Sequence, residues 1–157
     1  MYASYSEIPV TTLLTKLHTY KNLMLWISGH VHRNAITPQP DPNGNPENGF
    51  WVVETPSLRD FPQSFRRFNI VRNSDNNIST FVLDVDPAVN PNPPPNRSSS
   101  PAFISRSYAV ATQEIFDDPV ADGPYINPVS GVYNAELVKQ LSPAMQAKIA
   151  LIPAHAP

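Results

Sequence analysis

A chain of 157 residues, 41% of them apolar, is long enough for one compact unit with a modest core. Its formal net charge of -2 is spread along the chain, so no concentrated field would hold a polyanion and no nucleic-acid partner is expected. The absence of cysteine excludes disulfides and thiolate metal sites and leaves only nitrogen and oxygen ligands for any metal.

No apolar run approaches the roughly 20 residues of a membrane span. The opening MYASYSEIPV lacks the basic flank and apolar stretch of a signal peptide. The expectation is a soluble chain without a membrane partner, and its compartment stays open. The 19 prolines, against a usual share of roughly 5%, cluster and mark where regular structure stops.

In chain order, Val10, Leu13, Leu14 and Leu17 recur at helical spacing, which predicts a short amphipathic helix from Val10 to Tyr20 with Thr11 or Thr12 as its cap. The run Leu23 to Ile27, closed by Ser28-Gly29, predicts a strand buried on both faces. Pro38 to Asn48 contains little but turn formers and predicts a surface loop.

Strands are expected at Phe50 to Thr55, Phe65 to Val71 and Ser79 to Val85. The last two flank the polar cluster Asn73 to Asn77 and read as an antiparallel hairpin, with Phe81, Leu83 and Val85 on one face and Val82 and Asp84 on the other. The main unit is expected to end near Pro87 (1–87), followed by a Pro-rich linker or arm over 88–101. The remainder, 102–157, reads as irregular with two short helices: Ala135 to Leu141 capped by Asn134, and Ala144 to Leu151 behind Ser142-Pro143.

Chemistry concentrates in Ser28-Gly29-His30-Val31-His32, where the predicted buried strand gives way to a loop. Residues two apart in extended backbone project to the same side, so His30 and His32 can share one crevice. Ligand sites of open α/β sheets lie at the carboxyl ends of strands. Gly29 permits a conformation or close approach that a side chain would obstruct. Two neutral imidazoles suit Zn, Mn or Fe; a pair of ions about 3.5 to 4 Å apart serves phosphate ester hydrolysis. A His-x-His pair on a polar surface loop is the other reading of the same spacing.

The order strand, Gly-His-x-His resembles the last signature of the calcineurin-like metallophosphoesterases. That resemblance implies that His30 and His32 are metal ligands, each directed to a different ion of a dinuclear Mn, Fe or Zn centre. It implies an α/β fold, α+β as an isolated fragment, forming the C-terminal half of a two-sheet sandwich flanked by helices. A narrower resemblance, to a bacterial subfamily, rests on LMLWISGHVHRN, FWVVETPSLRDFPQSFRRFNI and the following DVDP. It covers about residues 6 to 110 and names no substrate beyond a phosphate ester.

The family's earlier signatures, Asp-x-His, Gly-Asp-x-x-Asp and Gly-Asn-His-Asp/Glu, are absent: no Asp precedes a His by two, no Gly-Asp pair occurs, and Gly44-Asn45 runs into Pro46. Two neutral histidines without a bridging carboxylate hold a metal pair poorly. The expectation is a half-site, weak in metal or empty of it alone. A truncated gene product, which Met1 favours, a proteolytic fragment, or a subunit completed by another polypeptide would each explain it. The alternative is a non-catalytic α+β module that forms a homo-oligomer through the sheet its missing N-terminal half would cover.

Weaker features have plainer readings. Arg59, Arg66 and Arg67 offer a fork to phosphate, but Arg59 beside Asp60 and Glu54 is read first as a turn-holding residue. Trp26 and Trp51 are read as core and strand-face aromatics, Asp84 and Asp86 as a solvated strand end, Asp117-Asp118 as an exposed turn, and His18 as helix surface. His155 falls in the tail.

Overall fold

The computed structural model describes residues 8–30, 34–58, 63–85, 101–116 and 134–153. Its class is mixed α and β: two three-stranded sheets and three α-helices among the described residues. The first sheet holds β1 (Leu25–Ser28), β3 (Phe50–Glu54) and β2 (Ala35–Gln39) in that order. β1 runs parallel to β3 with Leu25 opposite Trp51, and β2 runs antiparallel with Ala35 opposite Glu54. The second sheet, β4 (Phe65–Arg72), β5 (Ile78–Val85) and β6 (Ala135–Lys139), is antiparallel throughout.

The two sheets pack through a small core of Val53, Val82 and Leu137, all nearly inaccessible, with Leu25, Ile36, Trp51, Phe68 and Ala135 around it. Alternation along each strand produces this face: Trp51 and Val53 project from β3 to the same side, and Val82 lies between Phe68 and Ala135 in register. Two polar contacts also join the sheets. The Trp51 indole Nε1 donates to the Val138 carbonyl at 3.1 Å. Lys139, 3% exposed, donates through Nζ to the carbonyls of Glu47 and Gly49, at 2.6 Å each.

The predicted hairpin is present. β4 and β5 pair from Phe65 opposite Val85 to Arg72 opposite Ile78, around a turn in which Asn76 takes a left-handed φ of 61°. The core takes the face of Val82, Thr80 and Ile78, while Phe81 stays partly exposed. Helix α1 (Val10–Leu17) also forms. It starts behind Pro9 without a side-chain cap, so neither Thr11 nor Thr12 plays the expected role; Pro9 fixes the φ of the entry residue instead.

Four local expectations are corrected. β1 is an edge strand, not one buried on both faces: Trp26, on the face shared with Val52, is 39% exposed, and Ile27, on the core-side face opposite Val53 but at the sheet edge, is 52% exposed. Pro38 and Gln39 belong to β2, where proline is tolerated because an edge strand has one side free of ladder bonds. The rest of that segment contains a 3-10 turn, Pro46–Asn48. The stretch from Phe103 to Pro128, read as irregular, starts inside a 16-residue helix, α2 (Pro101–Phe116).

Ala135–Lys139 is a strand, not a helix. Asn134, expected to cap that helix, accepts the Asp84 backbone N–H at 2.8 Å through Oδ1 and so closes the end of β5. The second tail helix is found as α3 (Pro143–Ala150), with Ser142 at the N-cap position, though its side chain makes no capping bond, and Pro143 in its first turn. Its end is held by Arg72, whose Nη1 donates to the carbonyls of Ile149 and Ile152 at 2.7 Å each. The linker or arm read at 88–101 lies, up to residue 100, outside the described residues. Among the described residues no helix is long and apolar enough to cross a membrane.

Candidate functional site

The site is built at the carboxyl end of the parallel pair. β1 ends at Ser28, whose carbonyl accepts two bonds from Thr55, one from the backbone N–H at 2.8 Å and one from Oγ1 at 2.9 Å. This double clamp fixes the point at which Gly29 and His30 leave the sheet. Glu54 stands between the two arms of the site in register, opposite Ser28 on one side and Ala35 on the other. It is half-buried and already engaged.

His30 is exposed and takes a left-handed φ of 80°. For a residue with a Cβ this conformation costs about 1–2 kcal/mol, although histidine visits it more readily than most. The conformational demand that the sequence placed on Gly29 therefore falls one residue later. A Cβ at Gly29 would meet Thr55 Oγ1 at 3.5 Å, an ordinary contact. His32 lies outside the described residues.

On the far side of β3, Asn34 precedes β2. It is 8% exposed, and both Oδ1 and Nδ2 are buried without a hydrogen-bond partner among the described residues. Sequence reasoning passed over this residue. The signal that could have found it is a carboxamide between a candidate ligand loop and an apolar strand start, where an amide needs partners that apolar neighbours do not supply.

Together these observations test the fit of a metal. An exposed imidazole and an orphaned amide oxygen are donors that Mn, Fe or Zn accept. Among the described residues no group of three or more His, Cys, Asp or Glu gathers at one place. One exposed imidazole and one buried carboxamide do not by themselves make up a metal site among the described residues.

The remaining candidates disperse. Arg66 is buried opposite Asp84 in the hairpin; burial pushes its pKa down and the Asp84 charge opposes that shift. Its place in the hairpin favours a structural role. Arg67 donates to Asn69 Oδ1 at 3.4 Å on the surface. Trp51 is committed to the inter-sheet contact, whereas Trp26 is open to solvent. His18 is not plain helix surface: Nδ1 lies 3.0 Å from the Asn48 carbonyl and its ring is tilted on Phe50 at 5.2 Å, which anchors α1 to the start of β3. Arg59, Asp86, Asp117, Asp118 and His155 lie outside the described residues.

At the opposite end of the first sheet a groove of about 290 Å³ runs past Pro40, Asp41, Phe50, Trp51 and Lys139. Its charged groups are already occupied. Lys139 serves two carbonyls, and Asp41 accepts from the Asn45 backbone N–H at 3.1 Å, Asn45 Nδ2 at 2.9 Å and Asn48 Nδ2 at 3.4 Å. Burial pushes the Asp41 carboxyl up, but these hydrogen bonds outweigh it and hold its pKa below the ordinary 3.8. This network shapes the loop before β3 and leaves no charged group free for a ligand. Comparison of the chain with protein-family models, with curated proteins and with solved structures gave no match.

Proposed function

We propose that this chain is the C-terminal portion of a dinuclear-metal phosphoric ester hydrolase of the calcineurin-like class, incomplete and inactive alone. The observation that carries the reading is the placement of His30: a histidine in strained backbone, directly after a clamped strand, at the carboxyl end of a parallel strand pair. His30 and His32 would hold the metal, Mn, Fe or Zn, with the other ligands and the bridging carboxylate supplied by the missing N-terminal half. Bound divalent metal would supply a water of lowered pKa and neutralise charge on the phosphoryl oxygens. The part of this chain is to position: Thr55 fixes the Ser28 carbonyl, and the short Gly29 step presents His30 outside the sheet.

Equilibrium dialysis against Mn and Zn, with His30→Ala as control, tests the reading. The expected result is weak binding, below two ions per chain, that the substitution abolishes. Binding indifferent to His30 would overturn it.

A second reading, a non-catalytic α+β module that self-associates, is favoured by one observation. The outer face of the first sheet exposes Trp26, and β1 is an edge that carries neither proline nor charge. The other edge of that sheet carries Pro38, and β4 carries Arg66 and Arg67, devices that discourage strand addition. Under this reading Trp26→Ser with Ile27→Lys turns a dimer into a monomer in light scattering, with metal binding unchanged.

A further inference from the structure

We propose that Asn43 is a site of spontaneous deamidation, a modification that the fold directs to this asparagine and away from Asn48, the other asparagine followed by glycine in the same loop. The inference is independent of the reading of His30.

The reaction needs an asparagine whose side-chain carbonyl carbon lies within reach of the next residue's backbone nitrogen. That nitrogen loses its proton and bonds to Cγ, Nδ2 leaves as ammonia, and water opens the resulting succinimide at one of its two carbonyls. Water is the co-reactant, and the product is aspartate or, where the main chain is rerouted through the side chain, isoaspartate. A following glycine favours ring closure, because it has no Cβ to hinder the approach and turns freely. Asn45 precedes Pro46 and cannot react in this way, because proline has no N–H.

The structure separates the two Asn-Gly pairs. Asn43 and Gly44 are exposed. Gly44 takes a φ of 76°, and among the described residues nothing lies within 4 Å of the position its Cβ would occupy. The Gly44 N–H donates to the Asp41 carbonyl at 3.0 Å, and Asn43 Nδ2 lies 3.5 Å from Asp41 Oδ1. Opening this turn gives up those two contacts. Asn48 and Gly49 are half-buried and tied to other elements. The Asn48 carbonyl receives His18 at the end of α1, the Gly49 carbonyl receives Lys139 of β6, and the Gly49 N–H donates to the Pro46 carbonyl at 3.1 Å. A Cβ on Gly49 would meet the Gln39 carbonyl at 3.3 Å and that of Pro46 at 3.4 Å. Ring closure at Asn48 therefore requires a wider local opening, in which α1 and β6 lose their hold on the loop.

The product acts on the Asp41 network. Asn43, Asn45 and Asn48 all donate to the Asp41 carboxylate. A carboxylate at position 43 turns one of these donors into a like charge beside Asp41. Isoaspartate also lengthens the main chain inside the Asp41–Gly44 turn. Either product loosens the loop that leads into β3.

The test incubates the full chain in mildly alkaline buffer, folded and in urea, and localises the conversion of amide to acid by peptide fragmentation in a mass spectrometer. In urea the two Asn-Gly pairs are expected to react at similar rates, whereas in the folded chain Asn43 should react roughly tenfold faster than Asn48 or more. Asn48 reacting as fast as Asn43 in the folded chain, or neither reacting there while both react in urea, would overturn the proposal. The consequence is read by comparing Asn43→Asp with Asn43→Ser, which both remove the amide and differ in charge. Asn43→Asp is expected to have the lower Tm, with the gap narrowing at high salt. Equal Tm values at low salt would overturn the effect on the loop.

Discussion

Lys139→Met is the sharpest test of how the two sheets are joined. The ammonium group lies on the inner face of β6 and donates to two carbonyls of the loop before β3, those of Glu47 and Gly49. Hydrogen bonds to a charged group contribute about 1.5–3 kcal/mol each, and the substitution leaves two acceptors in a partly buried loop to find water. Against this stands the desolvation of the lysine, which pushes its pKa below 10.5 despite the opposing charge of Glu47. Methionine keeps the stem and removes that penalty. The net loss expected is about 2 kcal/mol, which for a chain of this length lowers Tm by roughly 4–8 °C.

The pH dependence has a definite sign. Between its folded pKa and 10.5 the unfolded lysine holds more proton than the folded one, so stability rises with pH across that alkaline window. The gain is expected in the unsubstituted chain relative to Lys139→Met, measured as the difference between two urea melts at each pH. A Lys139→Met variant as stable as the parent at pH 7 would refute the reasoning, since the two bonds would then contribute no more than their desolvation costs.

The remaining tests address the core, the strained histidine and the loop. Leu137→Ala removes one of the three residues at the centre of the core and is expected to cost about 2–5 kcal/mol in urea unfolding. His30→Gly should be more stable than His30→Ala by about 0.5–1 kcal/mol in the same assay, because glycine adopts a positive φ without the Cβ penalty; both should lose metal binding. Gly29→Ala should change stability by less than about 0.5 kcal/mol, since its Cβ meets only an ordinary contact. Asp41 carries a lowered pKa, so its contribution is present above 3.8 and is lost as pH falls through the lower folded value. An Asp41→Asn variant should show less acid sensitivity in a pH titration of Tm.

What the sequence made legible was local. The β4–β5 hairpin announces itself because alternation and a five-residue polar turn agree. α3 does so because Ser142-Pro143 combines a cap with a proline suited to the first turn. Ala-Glu-Leu-Val-Lys misled because its residues also suit a helix and Asn134 resembles a cap. What decides for a strand is distant: Leu137 and Lys139 are buried between the sheets, and β5 offers a free edge from Ile78 to Val82. β2 was hidden by Pro38, which signals a loop unless the strand is known to lie at an edge. At the site, the position of His30 at a strand end was legible, while its left-handed backbone and the orphaned amide of Asn34 were not.

The distribution of strain bears on which functional reading is better supported. At the entry to β3 most polar groups are answered, Asp41 by four asparagine donor groups, Lys139 by two carbonyls and His18 by a carbonyl and an aromatic ring, with Asn48 Oδ1 the exception. At the other end of the same strand lie a left-handed histidine and an amide with neither atom paired among the described residues. Each could be relieved by a single substitution, His30→Gly or Asn34→Leu, that leaves the core untouched. A module whose only task is to fold and self-associate through Trp26 gains nothing from keeping both. A site that awaits a cation and further ligands has a use for both, because strained and unsatisfied groups are the ones that gain most when a ligand arrives. The half-site reading therefore accounts for two liabilities at one end of the sheet that the self-association reading leaves without a cause.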